Sequence, residues 1–442
     1  MKVGFISLGC AKNRVDTEIM IAIMKRAGYK ITNRLERADI IIINTCGFIE
    51  AAKEEAINTI IDTGKYKAGQ LQHLVATGCL AQRYGPELLD QMPELDGAVG
   101  ISFFRDIDQA ITRIQNGERP LMVGDPPDVF IEKGPRVLTT PAGSAYLKIT
   151  EGCSNRCAYC AIPLIRGNLR SRPVGEIVQE ARDLVKRGVR ELVLIGQDTA
   201  VYGQDLKGPG LPHLLEQMAS IDDLEWIRLM YLHPAHIDDD LMEAMVRVPK
   251  VLPYMDIPIQ HASDRVLTGM NRRHSLDQLQ ALLGRLREQI TGLVLRTTMM
   301  VGFPGESDED FELLLDFIQA AGFDWLGSFA FTPEEGTPAY HMPEQVAEDI
   351  KQQRLNAVME LQQGITRQKN EARVGRDEDI LISSRSGPNL YLGRGYFQAP
   401  EVDGLTMVKS QARLDLGSLV KTRLIGIRDY DMIGEPFDEY SE

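Results

Sequence analysis

E-G-C-S-N-R-C-A-Y-C-A-I-P, residues 151–163, sets Cys153, Cys157 and Cys160 within eight positions in the pattern C-x3-C-x2-C. These are half of the six cysteines in the chain. Three thiols suit neither a structural zinc site, which takes four protein ligands, nor a disulfide set, which takes an even number. A short loop brings three thiolates onto one centre at little ordering cost. A four-iron cube held at three corners leaves one iron open to an exogenous ligand, as a three-ligand zinc site keeps a position for water. The alternatives are a three-cysteine zinc site and reduced structural thiols. Zinc patterns use other spacings, which favours iron and sulfur.

The loop follows an apolar run at 145–149 that begins a strand–helix alternation. Further strand candidates lie at 191–195, 226–230, 254–257, 293–301 and 325–331, with helical patterns such as 174–187, 276–289 and 308–321 between them. About six such units predict a partial or complete TIM-like α/β barrel, reactive at the C-terminal edge of its strands. The cysteines then sit at its mouth. Tyr159, between two of them, is placed to stack on an adenine-sized group or to fill core. Gln197 and Asp198 end the second strand in L-I-G-Q-D-T and are candidates for cofactor hydrogen bonds, with a helix cap as the alternative for Asp198. Gly302 and Gly305 in V-G-F-P-G-E allow close backbone approach to an adenine, or simply a strand-to-helix turn. Arg166, Arg170 and Arg172 can grip a carboxylate bidentately or pair with surface acids. His233, His236 and His261 are candidate proton shuttles, but lone histidines are more often structural and none is assigned a role.

Residues 1–125 show the same rhythm, with strands at 3–8, 40–44 and 74–77 and helical patterns at 14–27 and 50–63, which predicts a parallel sheet. Cys10, Cys46 and Cys79 are 36 and 33 residues apart, yet each follows an apolar run: F-I-S-L-G-C, I-I-I-N-T-C and L-V-A-T-G-C. In a parallel sheet all three emerge at one C-terminal edge, where ligand sites form. That points to a second three-cysteine cluster; three buried small residues are the alternative. Pro126, Pro127, Gly134, Pro135, Pro141 and Gly143 mark 126–144 as a linker. The core runs over 145–374 and ends in a long helical pattern at 345–373. Short strands at 379–383, 390–397, 406–408 and 419–427 predict a small all-β, OB-like barrel over 375–442.

Length and composition fit this division. The chain has 442 residues, 43% apolar and 25% charged, as expected of a multidomain globular protein. No apolar run approaches the ~18 residues of a membrane span. The opening M-K-V-G-F-I-S-L-G-C is too short in its apolar part for an export signal and reads as a strand. The expected compartment is the cytoplasm, where clustered cysteines are more often metal ligands than disulfides. A net charge of −14 argues against broad nonspecific nucleic-acid binding.

With an aromatic before its last cysteine and at the first strand of a partial barrel, C-x3-C-x2-C resembles the radical S-adenosylmethionine (SAM) superfamily. The resemblance implies that the open iron chelates the methionine moiety of SAM and that the reduced cluster cleaves it to a 5′-deoxyadenosyl radical. The whole chain further resembles the methylthiotransferases: an N-terminal three-cysteine domain, a radical SAM core and a C-terminal TRAM barrel. The matching stretches are G-C-A-K-N (9–13), N-T-C-G-F-I-E (44–50), A-I-P-L-I-R-G-N-L-R-S-R (161–172), V-G-F-P-G-E (301–306) and E-E-G-T-P-A (334–339). This implies two [4Fe-4S] clusters, held by Cys10, Cys46 and Cys79 and by Cys153, Cys157 and Cys160. One SAM would supply a methyl group and a second the radical, with no catalytic residue assigned beyond the clusters. An external electron donor of reductase or flavodoxin type is implied as well.

One branch of the family modifies an adenosine of transfer RNA; the other modifies the β-carbon of an aspartate in ribosomal protein S-12 of the small subunit. N-T-C-G-F, D-I-P-I-Q-H (256–261) and E-E-G-T-P-A resemble the ribosomal-protein branch. Residues 375–442 carry twelve acidic and eight basic side chains, a balance suited to a basic protein partner rather than to RNA. The expected function is therefore methylthiolation of S-12, with the protein itself or the assembled subunit as partner. A transfer-RNA enzyme and a non-catalytic, metal-stabilised ribosome-assembly factor are the alternatives.

Overall fold

Four consecutive isoleucines, Ile40 to Ile43, are fully buried, as a strand covered on both faces requires. In the computed structural model, which describes residues 1–437, they form the strand Ile40–Thr45. The chain divides into two compact units. The first comprises Met1–Thr139, Thr150–Ser171 and Thr332–Tyr340; the second comprises Thr140–Ile149, Arg172–Phe331 and the described residues from His341 onward.

In the first unit, Lys30–Ile31, Lys2–Ser7, Ile40–Thr45, His73–Gly78, Gly97–Gly100 and Leu121–Met122 pair in that order as an all-parallel six-stranded sheet. The helices Ala11–Arg26, Glu50–Gly64, Cys79–Gln91 and Ile107–Gln115 connect its strands. The sequence pattern marked three of these strands. The other three are two to four residues long and have too little apolar periodicity to register.

Residues 126–139, expected as part of a linker, belong to this unit. Glu18 and Arg136 are both buried and pair at 3.2 Å, and the Thr139 N–H donates to Glu18 at 2.6 Å. Pro and Gly content reports an irregular backbone, which here is packed. Residues 150–171 pack with this unit as well. They carry the short antiparallel ladder of Thr150–Glu151 with Arg170–Ser171 and the helix Ile162–Arg166.

The second unit contains a parallel sheet in the order Trp325–Ala330, Val294–Val301, Val251–Asp256, Trp226–Leu229, Glu191–Ile195, Ser144–Lys148. Its six strands do not close, so the architecture is a partial barrel. Ser275 and Ser307 start the helices Leu276–Gln289 and Asp308–Ala321 with capping boxes. The C-terminal strands Asp377–Gly387, Leu390–Arg394, Thr406–Lys409, Asp431–Pro436 and Leu419–Arg428 close into a five-stranded barrel around Ile380, Ile382, Tyr391 and Val408. The strand Asp431–Pro436 is one more than the sequence pattern marked. Its D-M-I-G-E-P is short and polar, and pairing with Leu419–Arg428 and Thr406–Lys409 organises it. Buried Glu191 ties sheet to barrel by accepting from Arg228 at 2.8 Å and pairing with Arg394 at 2.5 Å. The acidic tail D-E-Y-S-E lies outside the described residues; within 375–437 the balance is nine acidic to eight basic. Among the described residues no helix is long and apolar enough to cross a membrane.

Candidate functional site

Cys10, Cys46 and Cys79 follow Lys2–Ser7, Ile40–Thr45 and His73–Gly78, three neighbouring parallel strands. A glycine adjoins each cysteine. Gly9 and Gly78 have φ of +80° and +96°, and both make contacts that a side chain would block. A Cβ on Gly9 would lie 2.7 Å from the Cys46 Cβ, and one on Gly78 would lie 2.6 Å from the Thr45 carbonyl. Glycine thus lets three strand ends converge. The Asn13 side-chain amide donates to the carbonyls of Leu8 and Thr45, both at 3.0 Å, and so clamps the approaches to Cys10 and Cys46.

Cys46 and Cys79 are buried, and Cys10 is exposed. Burial, then the negative charges of Cys79 and Cys10, push the Cys46 thiol up to about 12. Burial also raises Cys79, against the pull of Arg166. Two thiols so raised become thiolates together beside a third cysteine only around a positively charged centre. The donor set therefore fits an iron–sulfur cluster.

The second group needs no sheet. Its loop runs from Glu151 to the helix Ile162–Arg166. Gly152 has φ +76°, and a Cβ there would meet the Asn168 carbonyl oxygen at 2.0 Å. The Cys153 N–H donates to the Gly167 carbonyl at 3.0 Å, and the Cys160 N–H to the Cys157 carbonyl at 3.1 Å. All three cysteines and Tyr159 are half-buried. The loop thus holds three half-buried cysteines on a tied backbone, which again fits a cluster.

The supports of the two groups meet. Ala161 and Ile165 pack with Cys79 and Ile101 in one apolar cluster. Arg166, 1% exposed, donates to the Cys79 sulfur at 3.3 Å, to Asn13 Oδ1 at 2.6 Å and to Glu151 at 2.7 Å, with Asp16 at 3.4 Å. Arg170 binds the Arg166 carbonyl at 2.8 Å and pairs with Glu132. These two arginines are committed to buried acids of their own unit rather than to surface ones. Sequence reasoning assigned no role to Asn13, Asp16 or Glu151. The available signal was their position, within or beside the stretches at 9–13 and 151–163. Glu334 of E-E-G-T-P-A is likewise buried and pairs with Arg83 at 2.7 Å and Lys53 at 3.2 Å.

The remaining candidates lie in the second unit. Buried Asp198 accepts at one oxygen from the N–H groups of Ala200 (3.2 Å) and His233 (3.3 Å), and its other oxygen lies 2.7 Å from His236 Nδ1. It therefore caps a turn rather than a helix. Asp198, His233 and His236 form a close group, with Gln197 half-buried beside it in sequence. Burial, reinforced by Arg272, holds His233 well below its ordinary range. Buried His261 accepts from the Ser263 N–H at 3.0 Å and is lowered by burial to about 4, in keeping with a structural role. Gly302 and Gly305 have φ of +73° and +79° in the turn after Val294–Val301. A Cβ on Gly302 would strike the Lys351 side chain at 2.3 Å. Arg172 pairs with Glu180 and Glu176.

Comparisons with known proteins agree with this layout. The radical SAM superfamily model matches residues 147–318, the uncharacterized protein family UPF0004 matches 2–100, and the TRAM domain matches 374–436. The chain is 54% identical over 437 residues to the ribosomal protein uS12 methylthiotransferase RimO of Syntrophomonas wolfei subsp. wolfei, covering 98% of this chain and 100% of that protein. It is 47% identical over 441 residues to RimO of Symbiobacterium thermophilum, covering 98% and 91%. Among solved structures, the radical SAM methyltransferase TsrM of Kitasatospora setae aligns with a TM-score of 0.57 at 13% identity, over 91% of this chain and 79% of that one. That likeness concerns the fold. Identity of this extent over the full length means that the chain belongs to the ribosomal protein uS12 methylthiotransferase (RimO) family, within the radical SAM superfamily.

Proposed function

We propose that this chain is a radical SAM transferase that adds a methylthio group to the β-carbon of an aspartate in ribosomal protein uS12. Its relatives carry the uS12 methylthiotransferase name over the full length. The structural observation that carries the reading is the presence of both three-cysteine groups in one compact unit, with Arg166 of the loop segment donating to the Cys79 sulfur.

Cys153, Cys157 and Cys160 would hold one [4Fe-4S] cluster, and Cys10, Cys46 and Cys79 a second. Bound clusters and SAM would supply a 5′-deoxyadenosyl radical, a methyl group and a sulfur-carrying centre. Tyr159, Gln197, Asp198, Gly302 and Gly305 would bind SAM. The chain's own contribution is orientation and exclusion of water. Asn13 fixes two strand ends, Gly152 shapes the loop, and burial of Cys46 and Cys79 shields one side of the second centre. Electrons come from a reductase or flavodoxin-type donor, and the work is done in the cytoplasm, where the ribosomal substrate is made. A C-terminal barrel with balanced charge over its described residues suits a protein substrate better than RNA.

Anaerobic reconstitution should yield about eight irons per chain if both sites hold four-iron clusters. The reconstituted enzyme, given SAM, sulfide and reductant, should add a methylthio group to uS12 that survives nuclease treatment of the reaction. Modification of transfer RNA with none on the protein would overturn this reading.

A further inference from the structure

We propose that Arg166 is a positioning residue that hydrogen-bonds the Cys79 ligand sulfur and raises the reduction potential of the cluster held by Cys10, Cys46 and Cys79. The proposal rests on the reading of those three cysteines as cluster ligands.

Arg166 ends the helix Ile162–Arg166, six positions after Cys160, yet its guanidinium reaches a sulfur of the other group at 3.3 Å. It is held there from several sides. Glu151 takes one terminal nitrogen at 2.7 Å and Asn13 Oδ1 takes the other at 2.6 Å, while Asp16 lies 3.4 Å from both. The Arg166 carbonyl accepts from Arg170 at 2.8 Å, which fixes the helix end as well. Asn13 links this network to the strand ends that present Cys10 and Cys46, because its amide binds the Leu8 and Thr45 carbonyls.

A buried cation donating to a ligand sulfur stabilises the extra electron of a reduced cluster, so the potential rises. The effect is strong where solvent is excluded, since burial weakens screening. Glu151 and Asp16 offset part of the charge, and the Cys79 sulfur also lies 3.7 Å from Asn13 Oδ1, but the guanidinium is the group that donates to the sulfur. A lysine keeps the charge, yet it has a single terminal nitrogen and cannot serve Glu151, Asn13 and Cys79 in the planar fork that arginine offers.

The test uses the full chain with Cys153, Cys157 and Cys160 replaced by Ala, so that only the N-terminal group can hold iron. After anaerobic reconstitution, dithionite titration followed by electron paramagnetic resonance gives the midpoint potential. Arg166→Gln combined with Glu151→Gln removes the buried pair together and limits the folding penalty. The double variant should retain about four irons, with the reduced-to-oxidised ratio at a fixed potential falling at least about tenfold, or about 59 mV for a one-electron couple. Arg166→Lys should fall in between. In the reciprocal chain, with Cys10, Cys46 and Cys79 replaced by Ala, the same substitutions should move the ratio less than about twofold, because the hydrogen bond goes to Cys79. An unchanged potential at full iron content, or equal shifts of both clusters, would overturn the role of Arg166 alone. Absence of iron from the N-terminal group with Arg166 intact would instead overturn the ligand reading beneath it.

Discussion

Cys153, Cys157 and Cys160 reach one another through eight residues of chain, whereas Cys10, Cys46 and Cys79 are spread over sixty-nine positions and meet because three strands are neighbours. The first set is half-buried on a loop; in the second, two thiols are buried and one is exposed. Equal cysteine counts therefore conceal different constructions. A loop set is tied by a few backbone hydrogen bonds and stays open to an entering cofactor. A sheet-edge set is preorganised by the fold and shielded on one side, which suits a centre that handles sulfur rather than one that must admit SAM.

The largest expected effect tests that division of labour. Cys157→Ala should abolish formation of 5′-deoxyadenosine, a loss of at least about 10³-fold measured by chromatography, because the radical chemistry resides in the cofactors. Cys46→Ala should instead keep 5′-deoxyadenosine formation within about threefold while methylthio product falls at least about 10²-fold, since a ligand, not merely its support, is lost. Equal loss of both products in the two variants would erase the contrast.

Thiol reactivity in the cluster-free protein offers a gentler comparison. Because thiolate is the nucleophile, a Cys46 thiol pushed up to about 12 is almost wholly protonated at pH 8. Iodoacetamide should label Cys153, Cys157 and Cys160 at least about tenfold faster than Cys46, read by peptide mass spectrometry. Its labelling should keep rising about tenfold per pH unit through pH 9 to 11, as the thiolate fraction of a group still below its pKa does. A Cys46 rate that levels off near pH 9 would mean that the sheet edge does not bury it.

The smallest expected effect concerns the scaffold. Gly78→Ala meets both a positive φ and the Thr45 carbonyl at 2.6 Å, whereas Gly117→Ala, at φ +86°, has open space. Urea denaturation should show a loss of about 2–4 kcal/mol for the former and about 1 kcal/mol for the latter. Similar losses would mean that the close approach of the strand ends costs nothing.

Much of this was legible without coordinates. The strand over residues 191–195 and the helices over 276–289 and 308–321 agree to the residue with the structure, because apolar periodicity and Ser caps set them locally. Cys10, Cys46 and Cys79 could be grouped from their shared place after apolar runs, since parallel strands deliver their ends to one edge. Compactness was not legible. Residues 126–139 look like a linker, yet Glu18 and Arg136 bury a charge pair across 118 positions. The roles of Asn13, Asp16 and Glu151 were also hidden, because nothing local distinguishes a buried, paired carboxylate from a solvated one.

Order and spacing alone set out the candidate ligands: six cysteines in two sets of three, one set in a short-range spacing that a loop alone can satisfy. They also determined that strands would alternate with helices, since the periodicity of burial is written into the order of apolar residues. What stands beside those cysteines came from packing. Sheet order placed three distant cysteines together, and long-range pairing carried Arg166 from one cysteine segment to the sulfur of the other. Such contacts depend on which surfaces exclude water together, and that is a property of the packed chain rather than of any stretch of it.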